Sequence, residues 1–141
     1  MKEFLWSVRI YYEDTDSGGV VYYANYLKYM ERARTEWLRS LGFEQDQLIN
    51  EQGVIFAVRS INVEYKKPAR FNDLLQVSAE LIERGGASLT FRQNVVNENK
   101  DNPEADQLLC SGQIRIACLD AEKMHPCPIP EQIVTEISRE R

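Results

Sequence analysis

Residues 6–42, WSVRIYYEDTDSGGVVYYANYLKYMERARTEWLRSLG, carry three structural signals in succession. Apolar residues alternate from Trp6 to Tyr12, which predicts a strand. The acidic, glycine-containing run from Glu13 to Gly19 predicts a loop. From Asn25, a candidate helix N-cap, apolar residues recur every three or four positions as far as Gly42. We therefore predict one long amphipathic helix that ends at this glycine.

After Gly42 the apolar pattern changes from a helical period to a period of two. A shorter helix at Glu44–Glu51 precedes four alternating runs, at 55–65, 75–81, 89–95 and 108–118, each of which predicts a strand. The residues Arg84-Gly85-Gly86-Ala87 predict a hairpin turn, and the polar run 97–106, which contains Pro103, predicts a longer connection. A short terminal helix is predicted at Glu131–Arg139.

Strands that follow one another, instead of alternating with helices, predict an α+β fold: a five-stranded antiparallel sheet with the long helix against one face. In the run 55–65 we place Ile55, Ala57 and the alternate residues from Ile61 to Tyr65 on one face, with Arg59 as the exception. One helix covers only one face of such a sheet. Off-phase apolar residues such as Phe56 therefore predict that a second copy covers the sheet edge or the other face.

Length, composition and charge exclude several function classes. A chain of 141 residues suits a single domain spanning 1–141. The 17 Lys and Arg against 22 Asp and Glu give a net charge of −5, which disfavours general binding to nucleic acid or anionic lipid. No apolar run approaches the ~18 residues of a membrane helix, and the first residues lack the apolar core of a signal peptide. We therefore expect a cytoplasmic protein.

The cysteines Cys110, Cys118 and Cys127 form an odd count without C-x-x-C spacing. This pattern disfavours a disulfide framework and a zinc site, and it suits a reducing compartment. Cys110 and Cys118 have the same parity in one predicted strand, so we expect them to pack as small apolar side chains. His125 is two residues from Cys127, but no third group is visible that would orient a Cys–His pair.

The acidic loop Glu13–Gly19 allows three interpretations. It resembles the start of a calcium loop, but Gly18 and Asn25 stand where the fifth and twelfth positions need ligands, so we expect no metal. It is also typical of a polar turn whose acids cap backbone amides. The third interpretation is a catalytic carboxylate beside the start of the long helix.

The catalytic interpretation has a physical mechanism. Gly18 and Gly19 permit positive φ angles and close approach of the backbone to a ligand. The unsatisfied amides at the start of a helix carry partial positive charge and would polarise a carbonyl oxygen placed there. Asp16 is close enough in sequence to attack that carbonyl as a nucleophile or to deprotonate a water as a general base, and the sequence leaves both roles open.

A family resemblance rests on five stretches: Val8–Tyr26, Tyr29–Glu36, Val63–Tyr65, Pro68–Arg70 and Asp120–Pro130. In these stretches the chain closely resembles the YbgC-type acyl-CoA thioesterases associated with the Tol–Pal system, in the 4-hydroxybenzoyl-CoA thioesterase group of hotdog folds. The motif Asp-x-Asp-x-x-Gly before a Tyr-rich helix start is quite specific. The resemblance implies a hotdog fold, in which the sheet wraps around the long helix, with active sites at a dimer interface and no metal. We expect a homodimer or homotetramer and no cofactor.

Transferred to this sequence, the resemblance implies hydrolysis of an acyl-CoA thioester to a free acid and coenzyme A. It implies that Asp16 is the catalytic carboxylate and that the main-chain N–H near Tyr23 polarises the thioester carbonyl. Tyr23 departs from the YbgC-type pattern, which often has a histidine at this position. The backbone role does not depend on the side chain, whereas the acyl preference stays open.

Coenzyme A carries several phosphate charges, so a net acidic enzyme needs a local cluster of cations to bind it. Lys66 follows one predicted strand, and Arg84 and Ser88 flank the hairpin turn that the resemblance places near the coenzyme. We therefore take Lys66, Arg84 and Ser88 as candidate phosphate contacts, with Gly19 as a point of close backbone approach. Solvated surface charge is the equally open interpretation for the charged residues.

Two other function classes stay open at this stage. A non-catalytic scaffold in lipid metabolism would bind acyl-CoA or acyl carrier protein in the same pocket, and the resemblance allows a peripheral position at the inner membrane. A hotdog hydratase would need an Asp/His pair, for which the sequence offers only His125. Opposite charges at helical spacing on the long helix, including Glu31 and Arg34, predict a solvated surface.

Overall fold

The computed structural model describes residues 3–98, 101–102, 104 and 106–139. Within these residues the strands are β1 (Glu3–Arg9), β2 (Val54–Tyr65), β3 (Leu74–Arg84), β4 (Ser88–Asn97) and β5 (Gln107–Asp120). The helices are α1 (Asn25–Ser40), α2 (Gln45–Gln47), which continues as a π-helical turn at Leu48–Gln52, and α3 (Glu131–Arg139).

The strands form one sheet in the order β1-β3-β4-β5-β2, so β1 and β2 are its edges. All four pairs of neighbouring strands are antiparallel. The apolar stripe of α1 packs on one face of this sheet, where Met30, Ala33 and Trp37 are buried. The α+β architecture of five antiparallel strands around one long helix is thereby confirmed.

The core lies between α1 and the helix-facing side of the sheet. The ring of Trp37 meets that of Phe91 on β4 edge-on, with the centroids 5.0 Å apart. Gly112 on β5 lies beneath the helix, where an added Cβ would come within 2.9 Å of Val63 Cγ2 and 3.4 Å of Met30 Cε. A side chain at Gly112 would therefore collide first with Val63 on the neighbouring strand β2, whereas Met30 of α1 would lie at ordinary contact distance.

Two predicted boundaries near the acidic loop are wrong. β1 ends at Arg9 instead of Tyr12, because the Tyr11 N–H donates to Asp14 Oδ2 at 2.8 Å and the chain enters a 3₁₀ turn. Asn25 is not the N-cap of α1, which is Ala24. The Asn25 side chain instead donates from Nδ2 to the Asp14 carbonyl at 2.9 Å, so it fastens the helix start to the acidic loop.

The predicted face of β2 is also wrong, because the strand contains a bulge. Val58 pairs with Ile116 and Ser60 pairs with Arg115, so Arg59 is an extra residue without a counterpart. A bulge of one residue reverses the alternation. Phe56 and Val58, not Ile55 and Ala57, therefore share the helix-facing side with Ile61, Val63 and Tyr65.

Several turns follow the prediction. Gly42 ends α1 as predicted, with a φ angle of +98° that its lack of a Cβ allows. Gly53, with a φ angle of +67°, ends the π-helical turn in the same way. In the β3–β4 hairpin Gly85 N–H donates to the Ser88 carbonyl at 2.9 Å. The longer connection runs from β4 to β5, and Pro103 within it lies outside the described residues. No helix in the described part of the chain has the length and apolar character to cross a membrane.

Candidate active site

The acidic loop folds around the carboxylate of Asp16. Gly18 N–H donates to Asp16 Oδ1 at 2.8 Å, and Gly19 N–H donates to the Asp16 carbonyl at 3.0 Å. The predicted positive φ angle is confirmed for Gly19, at +77°, whereas the prediction is wrong for Gly18. Gly18 serves another purpose, since a Cβ there would lie 3.2 Å from Asp16 Oδ1 and crowd the carboxylate.

Asp14 and Asp16 have different surroundings although they are two residues apart. The Asp14 carboxylate accepts from Tyr11 N–H, and its carbonyl accepts from Tyr22 N–H and from the Asn25 side chain. Asp14 therefore acts as the predicted polar turn residue. Asp16 is exposed in the single chain, and its carboxylate accepts one hydrogen bond within the described residues. Of the two aspartates, Asp16 is thus the one whose carboxylate is open to a ligand.

The start of α1 presents unused hydrogen-bond donors next to this loop. Tyr22 N–H donates to Asp14 and Asn25 N–H donates to the Tyr22 carbonyl, whereas the N–H groups of Tyr23 and Ala24 meet no acceptor in the described chain. Such donors at a helix N-terminus carry partial positive charge. An antiparallel bridge between Thr15 and Val21 holds the Asp16 loop beside them.

A cavity of about 240 Å³ opens at Tyr23. Its walls are Val21, Tyr23, Tyr26, Tyr65, Lys66, Lys67 and Pro68. The Tyr26 hydroxyl accepts from Ala69 N–H at 2.9 Å, which fixes that ring, and Tyr65 packs edge-on against both Tyr23 and Tyr26. The fold therefore brings Lys66 and Tyr23 to one aromatic cavity, while Asp16 does not line this cavity in the single chain.

The structure separates Arg84 and Ser88 from the other candidate residues within one chain. Ser88 pairs with Ala117 at one end of β5, whereas Lys66 N–H donates to the Leu109 carbonyl near the other end. Eight residues of strand span roughly 26 Å. The exposed His125 lies beyond the Ala117 end of β5, where its carbonyl accepts from Asp120 N–H, so within one chain it does not form a pair with Asp16.

The prediction of a solvated surface is wrong for Arg34. Its Nη1 donates to Gln93 Oε1 at 2.9 Å, and Gln93, which is fully buried, donates from Nε2 to the carbonyls of Met30 and Ser78 at 3.0 Å each. Burial lowers the pKa of Arg34 to about 10, against a smaller opposing effect of Glu31. The polar residue at position 93 in an otherwise apolar row of β4 is the sequence signal for this network.

A second cavity of about 240 Å³ lies beside this network, between α1 and the sheet. Arg34, Glu31 and Thr35 form its polar side, and Phe56, Val58, Phe91 and Ile116 are among its apolar walls. Tyr29, on the buried side of α1, has a hydroxyl that makes no hydrogen bond within the described residues. Burial, and then the Asp14 carboxylate, raise the pKa of this hydroxyl. Neither feature is predicted by the sequence pattern.

Comparison with known proteins places these features in a family. A family model described as the thioesterase superfamily matches residues 18–104. The acyl-CoA thioester hydrolase YbgC of Escherichia coli is 44% identical over 96% of this chain and 96% of its own length. The acyl-CoA thioesterase YbgC of Haemophilus influenzae is 41% identical over 92% and 90%.

Solved structures agree on the fold. The 4-hydroxybenzoyl CoA thioesterase of a Pseudomonas species superposes with a TM-score of 0.86, covering 96% of this chain and 99% of that one at 20% identity. DHNA-CoA thioesterase from Staphylococcus aureus superposes with a TM-score of 0.87, over 99% and 91% at 22% identity. The expected hotdog fold is confirmed.

Proposed function

Since the chain belongs to the thioesterase superfamily and is an acyl-CoA thioesterase, we propose that Asp16 is its catalytic carboxylate and that the Tyr23 N–H polarises the thioester carbonyl. One observation carries this assignment. The N–H groups of Tyr23 and Ala24, which meet no acceptor within the described chain, lie beside the carboxylate of Asp16. Within the same residues this carboxylate accepts one hydrogen bond, from Gly18. A thioester carbonyl bound by these donors would present its carbon to the Asp16 loop.

The proposed reaction needs the charge of Asp16 and the donor of Tyr23 at the same time. As a general base, Asp16 takes a proton from water and the hydroxide adds to the carbonyl carbon. The C–S bond then breaks, and coenzyme A leaves as a thiolate that recovers the proton. As a nucleophile, the Asp16 carboxylate adds directly, coenzyme A leaves as thiolate, and water then hydrolyses the mixed anhydride. In both routes negative charge develops on the carbonyl oxygen, where one backbone donor contributes ~3 kcal/mol.

The proposal includes a second copy of the chain. The edge strand β2 exposes Val58, Ile61 and Tyr65 on its helix-facing side, with exposed fractions of 48%, 44% and 44%. An unpaired edge with exposed apolar side chains favours pairing with another strand. From the family resemblance we expect such a dimer or tetramer to cover Asp16 and to bring the partner's hairpin toward this site. The coenzyme phosphates would then be bound by Lys66 of one chain and by the hairpin residues Arg84 and Ser88 of the other.

Wider associations in the proposal rest on the family resemblance alone. They are acyl carrier protein as a second acyl donor, a link to the Tol–Pal system, and a cytoplasmic location that is peripheral to the inner membrane. Hydrolysis rates of matched acyl-CoA and acyl carrier protein thioesters test the first of these. A carrier protein that neither delivers its acyl group nor inhibits hydrolysis of acyl-CoA would remove it from the proposal.

The central experiment measures thiol release from a panel of short-chain, long-chain and aromatic acyl-CoA substrates. Asp16→Asn keeps the size of the side chain and removes its charge, so kcat on the preferred substrate should fall by ~10² or more. Glu13→Gln is the matched control, because Glu13 is an exposed carboxylate in the same loop. Near-normal turnover of Asp16→Asn would refute the assignment, and so would an equal loss in Glu13→Gln.

A further inference from the structure

The thiols of Cys118 and Cys127 are in contact. Cys118 is buried on the helix-facing side of β5, and Cys127 is half-buried in the proline-containing segment between β5 and α3. Both are free thiols, and their Sγ atoms are 3.7 Å apart. We propose that Cys118 and Cys127 form a reversible disulfide when the protein meets a peroxide oxidant.

The main chain already holds the two cysteines side by side. Cys127 N–H donates to the Cys118 carbonyl at 2.9 Å, and Leu119 and Pro126 form an antiparallel bridge next to them. Ile129 N–H also donates to the Gly86 carbonyl at 3.0 Å, so the segment is fixed on both sides of Cys127. The S–S bond length of about 2.0 Å can therefore be approached mainly by turning the side chains.

The exposure of the two thiols assigns their order of reaction. Cys127 is the more accessible, so its thiolate attacks one peroxide oxygen, the O–O bond breaks, and Cys127 becomes a sulfenic acid. The Cys118 sulfur then attacks the Cys127 sulfur, the Cys118 proton leaves, and the sulfenic oxygen departs as water. In sum two thiols lose two electrons and two protons, and one hydrogen peroxide becomes two waters.

The chemistry also sets which step is slow. Burial, followed by the neighbouring Cys127, raises the pKa of the Cys118 thiol to about 12. A buried, protonated thiol is a poor attacking group, so closure of the disulfide is slow until Cys118 loses its proton. Cys110 is a suitable comparison, because it is buried on the same side of β5, burial raises its pKa to about 11, and it has no thiol neighbour among the described residues.

Oxidation should change mass, thiol count and thermal stability together. The fully reduced chain is treated with hydrogen peroxide, alkylated, and analysed by intact mass, peptide mapping and calorimetry. We expect a loss of about 2 Da, protection of Cys118 and Cys127 from alkylation, and reversal by dithiothreitol. The disulfide would close a loop of about ten residues and should raise Tm by roughly 5–10 °C.

Variants separate a specific pair from general oxidation. Cys127→Ser, at a half-buried position, and Cys118→Ala should both lose the mass change and the rise in Tm, whereas Cys110→Ala should keep them. The proposal is overturned if the native chain gains only oxygen atoms without a Cys118–Cys127 link, or if Cys127→Ser shows the same loss of mass. None of these readouts uses thioester hydrolysis, so failure here leaves the proposed function untouched.

Discussion

Removal of the Tyr23 N–H tests whether this backbone donor takes part in the chemistry. Separate variants, described below, change the side chain and keep the donor. Tyr23→Pro deletes this donor. The native N–H has no acceptor in the described chain, so the substitution breaks no hydrogen bond of the fold. Proline is also tolerated near a helix start, where the N–H is unpaired in any case. We therefore expect Tm to change by only a few degrees.

The expected loss of activity is much larger than the loss of stability. Removal of one donor to a developing oxyanion costs ~10²–10³ in kcat, or ~3–4 kcal/mol. Tyr23→Phe and Tyr23→Ala keep the N–H, and the Tyr23 side chain is 61% exposed, so both should keep kcat within roughly tenfold.

The assay is thiol release at saturating acyl-CoA, with circular dichroism to confirm that each variant is folded. A folded Tyr23→Pro variant with native kcat would refute the reasoning. Equal losses in Tyr23→Ala and Tyr23→Pro would also refute it, because they would assign the effect to the side chain.

Three further predictions concern the Arg34–Gln93 contact, the Asp16 loop and the turn after β5. Gln93→Leu should lower the free energy of unfolding by about 3 kcal/mol, because it leaves the half-buried Arg34 guanidinium without its acceptor. In a double-mutant cycle measured by denaturation, adding Arg34→Met should recover part of that loss. Gly18→Ala places a Cβ 3.2 Å from Asp16 Oδ1 and should lower kcat roughly tenfold at nearly native Tm. Hydrogen bonds from the N–H groups of residues 123 and 122 lower the pKa of Asp120. The difference in stability between the native protein and Asp120→Asn should therefore be constant above the ordinary Asp pKa of ~3.9 and shrink as the pH falls below it. Acid denaturation of the two proteins would measure this difference. A stabilised Gln93→Leu variant, a fully active Gly18→Ala variant, or a pH-independent Asp120 difference would contradict the corresponding argument.

The sequence predicted the features that local patterns control. The apolar stripe of α1 and Gly42 at its end specify a helix by spacing and backbone geometry alone. The Gly85-Gly86 turn similarly specifies the β3–β4 hairpin. These elements are short-range, so no knowledge of the partner strands was needed to place them.

Features that depend on pairing between distant segments were not predicted. The bulge at Arg59 is defined only by the register of β2 against β5, and it reversed the assigned face of Phe56 and Val58. The Arg34–Gln93 contact joins residues 59 positions apart. Asn25 has the composition of an N-cap, but the nearby Asp14 carbonyl competes for its side chain.

The candidate site shows the same division. The motif located Asp16 and the start of α1 correctly beside one another, because the intervening loop is short. Arg84 and Ser88 were assigned to the same site through the family resemblance, yet within one chain they lie near the opposite end of β5 from Lys66. Arg84 and Ser88 can reach Lys66 only if they come from a second copy of the chain. The way in which two copies pack is not visible in the local sequence pattern.

The most direct test of the Asp16 and Tyr23 assignment is a crystal structure of Asp16→Asn with an unhydrolysed acyl-CoA. The account predicts that the thioester oxygen lies about 2.7–3.1 Å from the Tyr23 nitrogen and that the substituted side chain faces the carbonyl carbon. A thioester bound with its oxygen away from the start of α1, or with its carbon out of reach of position 16, would contradict it.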